Sequence, residues 1–236
     1  MRYPSSVSLR PASCAIALIF ALTPSLARSQ PSAVVDEGTF TVTQKGAPLG
    51  RESFRVIRAP APGGQVFLAT GTSVLGDMKV TTRLGTDSLG IPVSYESDLI
   101  EKGEVVQRLR GRGRPGRLSV LTQTKTGESA REYILSNGAL LMDEDVFHHL
   151  FFVPLSIGRV QLNVIAPRVG QQMRFQVEAK GVDSVDIGGR SIPGRHFVLT
   201  APSGSSRDLW IDEKGRLLKV AQPEKGSVAL RDDPPR

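Results

Sequence analysis

Thr39-Phe40-Thr41-Val42-Thr43-Gln44-Lys45-Gly46 sets Phe40 and Val42 against three threonines and then stops at a glycine. Successive side chains of a strand point to opposite faces, so this alternation predicts a strand with one dry face and one wet face. Lys45-Gly46 offers the positive φ that a hairpin turn demands. Phe54 and Val56 then alternate with Ser53, Arg55 and Ile57. Leu118 and Val120 do so around Ser119, and Phe175 and Val177 alternate with Arg174, Gln176 and Glu178.

Glycine turns recur about every ten to twelve residues, the spacing of an all-β chain. They fall at Gly63-Gly64, Gly76-Asp77, Gly90, Lys102-Gly103, Pro115-Gly116, Thr126-Gly127 and Asn137-Gly138. After a gap they resume at Gly170, Lys180-Gly181, Gly188-Gly189, Pro193-Gly194, Ser203-Gly204, Lys214-Gly215 and Lys225-Gly226. The expected fold is therefore mostly β, an antiparallel meander wet on one side.

One stretch breaks the rhythm. Asp143-Glu144-Asp145 precedes Val146-Phe147-His148-His149-Leu150-Phe151-Phe152-Val153-Pro154. Acids suit a helix N-terminus and proline ends a helix, so a short apolar helix is expected over 143–153. It separates a first β half, 37–141, from a second, 159–231, with 28–36 and 232–236 as loose tails. Its apolar girth is too wide for a helix facing water, so it should cover or plug something.

The start of the chain has a different character. Arg2 and Arg10 come without acids, an apolar run spans Cys14 to Leu22, and Ser25-Leu26-Ala27 follows Pro24. That order of charged, apolar and small residues is the pattern of a cleavable secretory signal over residues 1–27. A membrane span needs roughly 20 apolar residues, about twice this run. The expectation is export, to the periplasm or outside the cell, followed by release as a soluble domain over 28–236. Cys14 is the only cysteine. The exported domain would thus have no disulfide, no cysteine nucleophile and no thiolate metal site. Such a domain reads as bacterial.

The whole chain carries 30 lysines and arginines against 23 acids, a net +7, with Arg2 and Arg10 in the leader. This moderate, scattered positive charge suits anionic surfaces better than it suits nucleic acid. The densest part is Arg108-Leu109-Arg110-Gly111-Arg112-Gly113-Arg114. In a strand, Arg108, Arg110, Arg112 and Arg114 share one face, where they would meet phosphates of an anionic surface. No aromatic residue is interleaved, which argues against single-stranded nucleic acid. A strand end that blocks aggregation is the plainer role for the same arginines.

Other chemistries find little purchase. His148 and His149 are neighbours, pointing about 100° apart on a helix, and His196 belongs to a strand, so no metal is expected. No Gly-x-Ser-x-Gly elbow exists, and Ser203-Gly204-Ser205-Ser206 reads as a polar loop. Asp87-Ser88-Leu89-Gly90 reads as an ordinary turn, with Leu89 where a paired-aspartate enzyme needs glycine. An outer-membrane barrel would need aromatic girdles, whereas the chain has one tryptophan and three tyrosines. No catalytic residue and no cofactor is expected.

The closing hairpin Asp208-Leu209-Trp210-Ile211-Asp212-Glu213-Lys214-Gly215-Arg216-Leu217-Leu218-Lys219-Val220 resembles the last hairpin of uncharacterised secreted bacterial β proteins. Their plan is similar to that of periplasmic lipoprotein carriers. Phe40-x-Val42, Gly46, Gly50 and Phe54-x-Val56 resemble the first hairpin of the same group. The resemblance implies a strongly curved sheet, an incomplete barrel, wrapped over an apolar helical cover; the carriers hold acyl chains in that concavity. From this comes the first expectation for function, a non-enzymatic carrier of an apolar or lipid-like ligand, with Phe147, Leu150, Phe151 and Phe152 as ligand contacts. The rival is a structural or interaction protein of the envelope in which those aromatics simply fill the core. A hydrolase with a dispersed polar site is the remote third.

Overall fold

Fifteen strands follow from the alternation and the turns. The computed structural model describes residues 32–62, 64–135, 138–156, 158 and 160–236. The expected leader, 1–27, lies outside the described residues, as do Gly63 and Asn137. The first half runs β1 (Ala33–Gln44), β2 (Ala47–Ala61), β3 (Gly64–Leu75), β4 (Met78–Asp87), β5 (Pro92–Glu101), β6 (Glu104–Arg114), β7 (Arg117–Thr124) and β8 (Gly127–Ile134). After the short β9 (Leu140–Leu141) comes a 3-10 helix, Phe147–Ser156. The second half is β10 (Gln161–Ala166), β11 (Gln171–Ile187), β12 (Arg190–Thr200), β13 (Ser206–Ile211), β14 (Leu217–Gln222) and β15 (Ser227–Arg231).

They form one sheet in the order β8-β7-β6-β5-β4-β3-β2-β1-β15-β14-β13-β12-β11-β10-β9. Each half is a meander, and antiparallel pairing of β1 with β15, Phe40 opposite Arg231, joins the two. Only β9 with β10 is parallel. The ladder does not close, since β8 and β9 are its free edges. The sheet nonetheless curls, because inward side chains from strands remote in the order, Tyr133 of β8 and Phe175 of β11, belong to one core cluster. Near the opening, side chains replace the missing ladder. Gln172 of β11 presents its Oε1 to the Ile134 N–H at 3.2 Å and donates from Nε2 to the Ile134 carbonyl at 2.7 Å. An amide side chain thereby does for one residue what a paired strand would do for several.

The mostly-β meander expected from the alternation, and the curved, incomplete barrel that the resemblance implied, are the fold found, with one short apolar helix. Four details differ. Lys180-Gly181 is no turn: β11 runs straight through it, and Gly181 sits at a bulge where the register shifts after Ala179. Pro193-Gly194 lies inside β12, opposite Ser184 and Asp183. A Cβ on Gly194 would come within 3.3 Å of Trp210 and Leu218, so this glycine serves close packing. Residues 33–36, expected as part of a loose tail, begin β1, and Asp232, just past β15, accepts a hydrogen bond from Thr41 at 2.6 Å; 28–31 lie outside the described residues. Buried Arg231, forked onto Asp36 at 2.8 and 3.1 Å, ties the last strand to the first.

The fourth difference is the helix. It spans 147–156, not 143–153, and contains Pro154 instead of ending before it. Asp145 takes φ +59°, which turns the chain and keeps the three acids out of the helix. Lys225, in the turn Pro223–Lys225 before β15, faces Glu144 and Asp145 at 3.5 and 3.4 Å, so one ammonium is shared by those two acids.

Candidate functional site

The helix enters the barrel with Phe147, His148, His149, Leu150, Phe151, Phe152 and Val153 all buried. Phe67 of β3 meets the Phe151 and Phe152 rings edge-on, at 6.3 and 6.2 Å. Phe147, Leu150, Phe151 and Phe152, expected as ligand contacts, therefore sit together, at most 6% exposed, inside the core cluster of the barrel. The sequence pattern found this group; it did not find what holds it.

That hold is polar and comes from strands far away in sequence. Glu52 of β2 is fully buried. Its carboxylate accepts from the Phe147 N–H at 2.9 Å and the His148 N–H at 2.7 Å, the first N–H groups of the helix. Those donors have no partner within the helix, so a carboxylate beside them meets both a hydrogen-bonding need and the positive end of the dipole. His148 Nδ1 lies 3.1 Å from the same carboxylate and Nε2 lies 3.1 Å from the Thr82 hydroxyl. The ring thus bridges the two side chains, Nδ1 facing the carboxylate and Nε2 facing the hydroxyl. The imidazole fits because residue 71 is glycine: a Cβ there would stand 2.4 Å from His148 Cε1. Phe54 stacks against its other side, with ring centres 6.1 Å apart.

A second arm holds the segment just ahead of the helix. Asp143 accepts from the Tyr95 hydroxyl of β5 and, at 3.0 Å, from the Arg168 N–H. Arg168 also donates to the Glu144 carbonyl at 3.0 Å. The Asp143 N–H donates to His149 Nδ1 at 3.3 Å, so a neutral His149 carries its proton on Nε2, a buried donor with no protein partner. Burial pushes the Asp143 carboxyl up to about 6, against the pull of its hydrogen bonds to Tyr95 and Arg168. Burial, together with His148 and nearby arginines, holds His149 well below the usual imidazole range. Burial and the Asp143 charge raise the Tyr95 phenol.

Thr82, His148 and Glu52 follow the hydrogen-bond order of a nucleophile, a base and an orienting acid. Thr82 is only 7% exposed, however, and in this conformation the relay fixes the helix. Among the described residues no group of three or more histidines, cysteines or acids could hold a metal ion. His196, between Asp183 at 3.0 Å and Asp208 at 2.8 Å, stacks on Trp210 on the far side of β12 from Phe197 and is remote from this network in the strand pattern.

The arginines lie elsewhere. Arg108, Arg110, Arg112 and Arg114 share the outward face of β6, while Leu109 and Gly111 between them are buried. Arg108 forks onto Asp98 at 3.0 and 3.2 Å and Arg110 reaches the same carboxylate at 3.3 Å. Arg112 and Arg114 make no ion pair with a described residue. No described helix is long and apolar enough to cross a membrane.

Glu52, Thr82 and Tyr95 escaped the sequence reading although a signal was present. Glu52 has the strand parity of Phe54 and Val56, and Thr82 that of Val80 and Leu84. A carboxylate on the dry side of a strand must have a partner, and that parity could have named it.

With the geometry in view, a family model described as Domain of unknown function (DUF6134) matches residues 142–230, from the residue before Asp143 into the last strand. No curated protein matches the chain. The crystal structure of a beta-barrel-like protein of Domain of Unknown Function DUF1849 from Brucella abortus is similar, with a TM-score of 0.51 at 10% identity over 83% of this chain and 94% of that one. A duf1089 family protein from Pseudomonas aeruginosa has a TM-score of 0.41 at 14% identity, over 89% and 97% of the two chains. The first of these likenesses bears on the fold, a barrel-like β architecture; the family match is a similarity over residues 142–230 to a domain described as of unknown function.

Proposed function

We propose that this protein is a non-enzymatic binder or carrier of an apolar, lipid-like ligand, acting after export in the bacterial envelope, and that Phe147–Ser156 plugs the space the ligand takes. One observation carries the reading: the plug is a ten-residue 3-10 helix with a proline inside it. Helices of this kind have poor hydrogen-bond geometry and rarely exceed 3–4 residues. Such a segment gains little from its own backbone and owes its place to the sheet around it. Its first turn is held by Glu52 and Thr82, while its aromatic end packs against Phe67. Withdrawal of the aromatic end would free apolar wall on Phe67 and the strands beside it, suited to an acyl chain. The amide-closed gap between β8 and β11 gives a route that opens without breaking a strand ladder.

The competing reading is an envelope structural or interaction protein, favoured by the tight burial of the same four side chains. Native mass spectrometry of the protein produced with export, beside organic extraction of the sample, separates the two. An apolar molecule bound near one to one supports the carrier and gives its chemical class. A mass free of ligand, unchanged after incubation with membrane lipids, overturns it.

A further inference from the structure

We infer that the outward face of β6, β7 and β8 is a docking surface for an anionic phospholipid bilayer. A groove of about 570 Å³ opens there, with Arg110, Arg112 and Arg114 along one side and Leu121 and Ala130 across it. The register sets the rows: Arg110 lies opposite Leu121 and then Ala130, Arg112 opposite Ser119 and then Glu132, and Arg114 opposite Arg117 and then Ile134.

The charges in these rows are not balanced within the molecule. Glu132 is taken by Arg117 at 2.6 Å and Ser119 at 3.2 Å, and Asp98 is shared by Arg108 and Arg110, one negative charge between two positive ones. Arg112 and Arg114 form no ion pair with a described residue, although Arg114 is near enough to Glu132 to help lower its carboxyl, and they stand two residues, about 7 Å, apart along the strand. Guanidinium forks match phosphate oxygens, and two of them at the same level address two headgroups better than one small anion. Two apolar side chains on the same face are exposed beside them, Leu121 at 39% and Ile134 at 66%. Exposed apolar side chains flanked by unpaired arginines suit a bilayer surface, where the former enter the headgroup boundary and the latter hold phosphates. Double-stranded nucleic acid would meet the arginines but leave Leu121 and Ile134 without a counterpart.

The surface points away from the barrel interior, so this inference stands independently of the carried ligand. The test is co-sedimentation of the purified protein with vesicles of mixed phosphatidylglycerol and phosphatidylcholine, set against phosphatidylcholine alone. Binding to the anionic vesicles that weakens steeply with added salt is expected. Arg112→Glu with Arg114→Glu should lower the bound fraction at least tenfold, with circular dichroism and ligand extraction unchanged. Leu121→Ser with Ile134→Ser should lower it several-fold without altering the charge. Equal binding to both vesicle types, or binding untouched by the arginine pair, overturns the proposal. So does full displacement by inorganic phosphate at constant ionic strength, or a preference for duplex DNA over the vesicles, since either identifies a different occupant.

Discussion

Asp143 and His149 share a hydrogen bond, and burial moves their titrations in ways that oppose each other. Asp143 titrates near 6 in the fold against about 3.8 when unfolded, so between those values the folded state holds more protons. Its contribution to stability is therefore greatest at low pH and is lost as pH rises through about 6, on the order of 3 kcal/mol in all. His149 is depressed below its unfolded value of 6.5, so the unfolded state holds more protons. Its contribution is present above 6.5 and is lost as pH falls. Across about pH 4 to 6 the two slopes cancel in part. Asp143→Asn should expose the histidine, giving stability that drops on acidification below about 6.5. His149→Gln should expose the carboxyl, giving stability that increases from pH 6.5 to 4. Urea midpoints taken across this range decide the matter, and parallel profiles for the two variants would count against the assignment.

At the level of elements, the plug and the strand that holds it divide the work between packing and hydrogen bonds. Glu52 supplies acceptors to two backbone N–H groups and one imidazole, all in the core. Each buried donor left without a partner costs about 1–3 kcal/mol. Glu52→Ala should thus destabilise the protein by about 2–4 kcal/mol in urea unfolding, and Glu52→Gln, which keeps one acceptor oxygen, by less. Equal losses would mean that shape, not acceptance, is what matters at residue 52. These same elements mark how far the sequence could be read. Period-two alternation and turn glycines revealed the strands, because both follow from backbone geometry within one segment. Residues 147–152 were legible as an apolar insert for the same reason. The extent of the helix was not: Pro154 sits within it, tolerated where the chain is already in 3-10 form, and the first N–H groups found Glu52 instead of the acids next to them. Gly181 and Gly194 misled because a bulge and a close contact use glycine as readily as a turn does. Partners separated by 96 residues, such as His148 and Glu52, leave only strand parity as their mark in the sequence.

For the whole molecule, the sheet order makes the two halves depend on each other. The first half ends at β8, the second begins with β9 and the plug, and the one ladder between them among the described strands is β1 with β15. The family match, 142–230, covers the plug and the second half while leaving out β2, β4 and β5, which carry Glu52, Thr82 and Tyr95. A segment matched on its own need not fold on its own. Residues 138–236 alone would expose the apolar plug and leave Asp143, the helix N-terminus and His148 without their acceptors and donors. Arg231 would stay, but its partner Asp36 and the β1 strand that covers it would be gone. We expect this piece to be unfolded or aggregated in isolation, and to regain β circular dichroism and a single cooperative transition when refolded with residues 32–135. The Asp36→Ala form of the first piece should complement it poorly, because the inter-half ladder would then carry an unpaired charge. A monomeric second half with a sharp thermal transition of its own would show instead that the interior network is an accessory to packing, and that the plug can find cover within the matched segment.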